Sequence, residues 1–258
     1  MTIAIGYLCR DGLILGADSQ SGISGSLKWP TQKILPIDVG GIHEGMAVNA
    51  AALAVAGAGN THYLHEMQEI SARLIDPSDT AMEIETKLRE RYREFYTETV
   101  LPFAGTGGAP ELWMMFGVQK DNSVSLYTTE QLSFRENRAY AAVGSGEFVA
   151  RALIESTFPM YPPISVAKLL MVHALQHVRD RVDGVGGNSV IIAISQNKCE
   201  FVNRQFIREA EREFEKYRSA QVGLIQYVTG YLAEDEIGRV SGEASELRKA
   251  LADITARG

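Results

Sequence analysis

The alternation of apolar and polar residues divides the chain into segments of strand length and segments of helix length. In the first part, short apolar runs alternate with turn residues, which is typical of paired strands. These predicted strands cover residues 3–8, 13–18, 33–38 and 46–57. The apolar spacing then changes from two to about 3.6 residues, which indicates helices at 61–74 and 79–100.

The same order of elements repeats in the second half of the chain. The predicted elements there are strands at 112–119, 123–128, 132–135 and 139–143, helices at 147–157 and 164–182, and closing strands at 190–195 and 200–203. A loop is predicted at 103–110, where glycine is frequent. Strands, helices, strands, helices and strands in this order predict an α+β fold.

The last fifty residues have a different pattern. They are highly charged and have helical periodicity, with predicted helices at 207–217, 222–232 and 245–254. No linker rich in Pro, Ser and Gly separates them from the rest. We therefore predict one core domain over 1–205 and a helical extension over 206–258. The extension either packs on the core or contributes to a subunit interface, and the sequence leaves both open.

Composition excludes several classes of protein. Of the 258 residues, 45% are hydrophobic and 22% are charged, which is ordinary for a globular protein. The formal net charge is −7 and basic residues do not cluster, which argues against binding to nucleic acid. The first apolar stretch is broken by Arg10 and Asp11, so we predict no signal peptide. No run approaches the ~20 apolar residues of a membrane span, and we expect a cytoplasmic protein.

Cysteine and histidine give weak signals. Cys9 and Cys199 lie far apart in apolar segments, which predicts two buried thiols in a reducing compartment. The histidine pairs His62/His65 and His173/His177 have spacings that could bind zinc. No third group of ligands and no His-Glu-x-x-His motif accompanies them, and we predict no metal site.

Thr2 is the strongest candidate for catalysis. It lies at the free end of the first predicted strand, which Arg10-Asp11-Gly12 joins to the second strand as a hairpin turn. Removal of Met1 would leave a hydroxyl and a free α-amine on one residue. An α-amine has a pKa of about 7.7–8.0 and can accept the hydroxyl proton at neutral pH. Thr2 would then be a nucleophile with its own base.

Asp18 and Lys33 strengthen this interpretation. Lys33 is followed by apolar residues, so its ammonium should be partly buried and should need a partner. Asp18 ends the neighbouring strand and can supply the opposite charge. A lysine held near Thr2 would favour the deprotonated hydroxyl. The alternative is that Asp18 only caps a loop and Lys33 extends to water.

Taken in order, these residues resemble a known family. The matching segments are Thr2 with Gly16-Ala17-Asp18-Ser19, Gln32-Lys33-Ile34, Val55-Ala56-Gly57-Ala58-Gly59-Asn60, Val143-Gly144-Ser145-Gly146 and residues 179–187. The set resembles the proteasome beta-subunit-like N-terminal-nucleophile (Ntn) hydrolases over roughly residues 2–205. The resemblance implies a four-layer α/β/β/α sandwich with two antiparallel sheets. It also implies that Thr2 is the nucleophile and that Asp18 and Lys33 assist it.

The resemblance also suggests how the reacting groups are positioned. Ser145 would form a hydrogen bond to the terminal amine of Thr2. Gly57 or Gly59 would supply the backbone N–H of an oxyanion hole, because glycine lets a substrate approach the backbone closely. The strand before these glycines differs by about one residue from the family pattern, so both remain candidates.

The second acid is the least certain of the implied site residues. A direct match of the glycine pair 186–187 places Val182 where the family has an aspartate and Val185 where it has a serine. A shift of one residue restores Asp183, and a shift of two in the other direction restores Asp180. We take Asp183, which lies at the end of the predicted helix, as the residue that orients Ser145 and the amine.

The function implied by the resemblance is that of a threonine-type endopeptidase. It would act on peptides or unfolded protein without a cofactor, in a homo-oligomeric ring packed through the helices at 61–74 and 79–100. The sequence does not identify an ATPase partner. Two alternatives remain: an inert ring or scaffold subunit that keeps Met1, and an Ntn amidohydrolase that acts on a small amide.

Overall fold

The computed structural model describes residues 2–23, 27–43, 46–103, 111–228 and 237–257. The chain divides into two compact units, residues 1–201 and 202–258. No helix within the described ranges is long and apolar enough to cross a membrane.

The first unit contains strands and helices in alternating groups. Its described strands are β1 Ile3–Cys9, β2 Gly12–Asp18, β3 Gln20–Ile23, β4 Leu27–Pro30, β5 Ile34–His43, β6 Met46–Gly59, β7 Leu112–Lys120, β8 Ser123–Glu130, β9 Ser133–Asn137, β10 Tyr140–Gly144, β11 Ser189–Ser195 and β12 Lys198–Phe201. Its described helices are α1 Thr61–Leu74, α2 Ala81–Phe95, α3 Glu147–Thr157 and α4 Ile164–Arg179. The predicted order of elements is confirmed.

Two five-stranded antiparallel sheets form the centre of this unit. The first sheet has the order β10-β1-β2-β11-β12, and the second has the order β5-β6-β7-β8-β9. In the first sheet β1 pairs with β10 and with β2, so Ile3 lies opposite Gly144 and Ala4 opposite Ala17. β2 also pairs with β11, where Asp18 lies opposite Ser189. One end of this sheet is therefore formed by the starts of β1 and β11 together with the ends of β2 and β10.

The two faces of β6 show how the layers pack. Because side chains alternate along a strand, consecutive residues of β6 point to opposite faces of the sheet. The alanines facing the first sheet are Ala52, Ala54, Ala56 and Ala58. Leu53 and Val55 instead belong to the cluster that contains Leu64 of α1 and Leu88 of α2. Small side chains between the sheets and larger ones under the helices give the predicted sandwich with helices on the outside.

α4 covers the other face of the first sheet. A Cβ at Gly16 of β2 would lie only 2.7 Å from Met171 Cγ and 3.0 Å from Leu175 Cδ1. The helix therefore lies close against the middle strand of this sheet. The segment after α4 leads directly into β11, beside the end of β2.

Several element boundaries differ from the prediction. The structure adds a two-stranded hairpin, β3–β4, which the sequence pattern did not indicate. α4 ends at Arg179 rather than at 182, because the chain turns there and reaches Gly184 with φ 80°. The helix predicted from 79 to 100 is α2 up to Phe95, followed by a π-helical turn at Tyr96–Val100. Most of the predicted loop at 103–110 lies outside the described residues.

α2 shows why its start was predictable. The Thr80 side chain accepts from the backbone N–H of Glu83, and the Glu83 carboxylate accepts from the backbone N–H of Thr80. This reciprocal capping box satisfies two backbone donors that the helix leaves unpaired. Buried Ile84, Leu88 and Tyr92 then follow at helical spacing and pack on the second sheet.

The second unit contains α5 Arg204–Val228 and α6 Ile237–Arg257, which contact each other. The prediction separated helices at 207–217 and 222–232, but α5 runs through the gap between them because no proline interrupts it. The end of the second predicted helix lies outside the described residues. The role of this unit stays a prediction.

The cysteines are free. Cys9 is buried and Cys199 is half-buried. Burial raises the pKa of each thiol to about 12. Both side chains are therefore protonated, weakly reactive thiols at neutral pH.

Candidate active site

Thr2 directly precedes β1, the second strand in the order of the first sheet. Its side chain is only 6% exposed. The Thr2 backbone nitrogen donates to Ser145 Oγ at 3.1 Å, and Ser145 Oγ donates to the Thr2 carbonyl at 3.2 Å. The structure therefore brings Ser145 to the nitrogen that would become the α-amine. The Thr2 hydroxyl makes no hydrogen bond to any residue that the structure describes.

The backbone at Gly144 fixes this pair of contacts. Gly144 has φ +103°, and a Cβ at this position would lie 2.4 Å from the Thr2 carbonyl oxygen. Only glycine adopts this conformation without strain and fits the space. The turn from β10 into α3 thus carries Ser145 directly against Thr2.

Asp18 lies at the end of β2 and is 4% exposed. Its Oδ1 accepts from the backbone N–H of Ile3 at 3.0 Å and from Lys33 Nζ at 2.8 Å. Its Oδ2 accepts from the backbone N–H groups of Gln20 at 3.3 Å and Gly186 at 3.2 Å. Four donors therefore satisfy this buried carboxylate, and one belongs to the residue that follows Thr2.

Lys33 precedes β5 and is 1% exposed. Its ammonium donates to Asp18 Oδ1 at 2.8 Å and to the carbonyl oxygen of Gln20. Burial lowers the pKa of Lys33 below its ordinary value, and the Asp18 carboxylate opposes this effect. The ammonium is thus paired and does not extend to water. Lys33 makes no hydrogen bond to the Thr2 hydroxyl.

The turn after α4 reaches the site through its backbone. Gly186 donates to Asp18, and Asn188 N–H donates to Ser19 Oγ at 2.8 Å. Arg179 Nη1 donates to the Gly187 carbonyl at 3.1 Å. The bonds to Asp18 and Ser19 tie the turn to the end of β2, and the Arg179 bond links the end of α4 to the same turn. Sequence reasoning missed them because a backbone donor has no particular residue type.

The structure does not bring the predicted second acid to Thr2. Asp183 is exposed in the turn after α4 and makes no hydrogen bond or ion pair with any described residue. Asp180, the alternative, is the C-cap of α4, and its backbone N–H donates to the Gln176 carbonyl at 3.0 Å. The role of Asp183 stays a prediction.

The two candidate oxyanion glycines differ in position. The Gly57 N–H donates to the Lys33 carbonyl at 3.2 Å, so it is already engaged between strands. Gly59 has φ +105°, and a Cβ there would lie 1.9 Å from the Glu111 carbonyl oxygen. Gly59, and not Gly57, lines the cavity next to Thr2.

That cavity has a volume of about 540 Å³. Its lining residues are Thr2, Ala58, Gly59, Asn60, Glu111, Trp113, Gly144 and Ser145. It is large enough for a small ligand or the side chains of a peptide. Sequence reasoning did not single out Asn60, Glu111 or Trp113, because they reach Thr2 only through the packing of the two sheets.

The histidine pairs lie on α1 and α4. The rings of His173 and His177 are 6.0 Å apart. Burial, helped by His177 and Arg181, lowers the pKa of His173 to about 4. Within the ranges that the structure describes, no group of three or more His, Cys, Asp or Glu side chains is arranged to hold a metal ion.

Comparison with known proteins identifies the fold. No family model and no curated protein sequence matches the chain. Among solved structures, Anbu (ancestral beta-subunit) from Yersinia bercovieri has a TM-score of 0.68 at 15% identity, over 86% of this chain and 96% of that one. A helical assembly of the Anbu complex from Pseudomonas aeruginosa has a TM-score of 0.68 at 13% identity, over 86% and 95%. The Anbu (Gly-1) mutant from Hyphomicrobium sp. strain MC1 has a TM-score of 0.67 at 11% identity, and the match covers 91% of this chain and 99% of that one.

These matches confirm the resemblance to proteasome beta-like Ntn hydrolases at the level of fold. Two five-stranded antiparallel sheets flanked by helices are the architecture of Anbu. At such low identity, the matches establish the fold alone.

Proposed function

We propose that the chain is a threonine-type endopeptidase whose nucleophile is Thr2 after removal of Met1. The observation that carries this proposal is the buried Asp18–Lys33 ion pair, which lies at the end of the sheet where Thr2 leads into β1. Burial of two charges is costly unless they are paired and hydrogen-bonded. A pair held at this place favours a catalytic role over a purely structural one, because perturbed and buried charges concentrate at functional sites.

The proposed reaction begins with attack by the Thr2 hydroxyl oxygen on the carbonyl carbon of a peptide bond. The hydroxyl proton passes to the α-amine of Thr2, and the carbonyl oxygen becomes an oxyanion. The carbon–nitrogen bond then breaks, and the leaving amine takes the proton from the α-amine. An ester on Thr2 remains. A water molecule gives a proton to the same amine and attacks the ester carbonyl. The bond between that carbon and the Thr2 oxygen then breaks, the Thr2 oxygen takes the proton back from the amine, and the carboxylic acid leaves.

Each neighbouring residue has a role in this scheme. Ser145 Oγ lies 3.1 Å from the Thr2 nitrogen and would hold the amine in place. The Lys33 ammonium, fixed by Asp18, would favour the deprotonated forms of amine and hydroxyl. We assign the oxyanion hole to the backbone at Gly59, since the Gly57 N–H is already bonded to the Lys33 carbonyl. No cofactor is needed.

The substrate and the assembly are further parts of this proposal. We propose that the chain acts on peptides or unfolded protein in a homo-oligomeric ring. The helical assembly of the Anbu complex from Pseudomonas aeruginosa, which has this fold, supports an assembly of several subunits. The two free thiols support a reducing compartment, the cytoplasm. Light scattering should give a mass several times that of one chain. A monomer at micromolar concentration would contradict the assembly and favour a small-amide hydrolase.

The intact mass of the protein and substitutions of Thr2 test the assignment of the nucleophile. We expect the native protein to lack Met1 and Thr2→Ala to lose hydrolysis of fluorogenic peptides while keeping its melting temperature. Thr2→Ser should retain part of the activity, because it keeps the hydroxyl. Thr86→Ala, an exposed threonine on α2, is the matched control and should behave as wild type. Full activity of Thr2→Ala would overturn the assignment. Retention of Met1 with no hydrolysis would favour an inert scaffold.

A further inference from the structure

The cavity next to Thr2 has an uneven charge. Among its lining residues, Glu111 is the only one with an ionisable side chain. The others are small residues, an asparagine, two hydroxyl residues and Trp113. Lys33, a buried cation, does not line the cavity and is paired with Asp18. Glu111 therefore places a negative charge at the cavity wall, and no other lining side chain carries a charge; the α-amine that Thr2 would have after removal of Met1 belongs to the backbone.

The backbone fixes Glu111 at this wall. Its carbonyl accepts from the Asn60 N–H at 2.8 Å, and the next residue, Leu112, pairs with Gly59. Leu112 belongs to the core cluster under α1 and α2, whereas Trp113 packs against the cluster between the sheets. Because strand neighbours point to opposite faces, Glu111 lies on the same side as Trp113. Both residues line the cavity next to Thr2.

The Glu111 carboxylate has no partner among the residues that the structure describes. Its side chain is exposed and forms no ion pair or hydrogen bond with them. The preceding segment, 104–110, contains no lysine or arginine in its sequence. A carboxylate and an indole at one cavity wall can bind a cation through an ion pair and a cation–π contact.

We propose that this cavity selects peptides with arginine or lysine on the acyl side of the cleaved bond. This inference rests on the proposed function, because the cavity adjoins Thr2 and would receive the side chain next to the attacked carbonyl. Glu111 pairs with the substrate charge, and Trp113 contacts its planar face. Arginine is preferred to lysine, since a guanidinium both stacks on an aromatic ring and bonds a carboxylate with two N–H groups.

The test uses three fluorogenic peptides that differ only in the acyl-side residue: arginine, leucine or glutamate. Wild type should show the highest kcat/KM for the arginine peptide. In Glu111→Gln, the ratio of kcat/KM for arginine over leucine should fall about tenfold, the effect of losing one half-exposed charge pair together with the geometry of its cation–π contact. Glu111→Lys should favour the glutamate peptide over the arginine peptide.

Glu90→Gln is the charge-matched control. Glu90 is exposed on α2, makes no ion pair with any described residue and does not line the cavity. Its substitution should leave the arginine-to-leucine ratio unchanged. If Glu111→Gln also leaves the ratio unchanged, or if Glu90→Gln lowers it equally, the selectivity does not come from Glu111 and the inference is wrong.

A binding measurement separates this inference from the proposed function. Thr2→Ala should bind the arginine peptide more tightly than the leucine peptide, and Thr2→Ala/Glu111→Gln should lose this difference. If wild type hydrolyses all three peptides equally through Thr2, the function stands and the selectivity fails. If no peptide is hydrolysed but the binding difference is present and depends on Glu111, the cavity is cation-selective and the catalytic proposal fails.

Discussion

The two sides of Thr2 are built differently. On one side, Asp18 and Lys33 are almost excluded from water and paired, and Asp18 accepts hydrogen bonds from three backbone N–H groups as well. On the other side, Ser145 is exposed and holds Thr2 through its backbone nitrogen and carbonyl. Asp183 is exposed in the turn after α4 and makes no hydrogen bond or ion pair with Ser145, and the same turn binds Asp18 through the backbone of Gly186.

The difference shows which contacts must form with the fold. A buried charge without a partner is strongly unfavourable, so Asp18 and Lys33 have to be paired in the folded protein. An exposed hydroxyl can exchange its partners for water at little cost. Stability should therefore depend on the Asp18 side, while the Ser145 side should affect the position of the Thr2 nitrogen more than the stability of the fold.

The largest expected effect follows from breaking the buried pair. Asp18→Ala leaves the Lys33 ammonium buried with only the Gln20 carbonyl as partner. We expect the free energy of unfolding to fall by about 3–5 kcal/mol and activity to be lost. Lys33→Met should lose activity as completely but less stability, because three backbone N–H groups still satisfy Asp18. Denaturant unfolding and peptide hydrolysis measure the two effects.

The double variant sharpens this result. Asp18→Ala/Lys33→Met removes both charges, so it should be more stable than Asp18→Ala although it carries one more substitution. Asp38→Ala is the control: Asp38 is exposed and accepts one backbone hydrogen bond, from Cys199 N–H at 2.7 Å. It should lose only about 1 kcal/mol. If the double variant is less stable than Asp18→Ala, the pair is not what makes Asp18 important.

The sequence predicted the Asp18 side better because the evidence for it lies in the residues next to Asp18 and Lys33 in the chain. Lys33 stands before an apolar strand and Asp18 ends another, so burial and the need for a partner could be predicted from the residues themselves. The β3–β4 hairpin was missed because Gln20-Ser21-Gly22 lacks the alternation that marks a strand. The pattern around Thr80 gave the start of α2, since capping depends on residues three positions apart.

The rest of the site depends on pairing between distant segments. Glu111 reaches the cavity because Leu112 pairs with Gly59, some fifty positions earlier. Gly186 reaches Asp18 because α4 lies against β2 and its final turn ends beside that strand. Neither a backbone donor nor a strand register requires a particular residue type in the two segments that meet. This is why the sequence left both Gly57 and Gly59 as candidates for the oxyanion hole, and why the choice of Asp183 over Asp180 rested on its place at the end of the predicted helix.

An intermediate effect is expected at the turn that carries Ser145. Gly144→Ala places a Cβ 2.4 Å from the Thr2 carbonyl oxygen, and the alanine would have to adopt a φ of +103°. We expect a loss of about 1–3 kcal/mol in the free energy of unfolding and a loss of activity from displacement of Thr2. Gly40→Ala is the control, because a methyl group added there would meet nothing within 4 Å among the described residues. Equal melting temperatures for the two variants would show that Gly144 does not constrain Thr2.

The smallest effect is expected at Asp183. Its side chain is exposed and makes no hydrogen bond or ion pair with Ser145, Thr2 or any other residue that the structure describes. Asp183→Asn should therefore leave the melting temperature unchanged and kcat close to that of wild type, whereas Ser145→Ala should lower kcat because it removes the partner of the Thr2 nitrogen. The measurement is the rate of hydrolysis by both variants across pH 6–9, a range of about three units around the pKa of the α-amine. If Asp183→Asn lowers kcat as much as Ser145→Ala and shifts the pH profile in the same way, the turn closes on Ser145 during catalysis, and the two sides of Thr2 are more alike than the fold indicates.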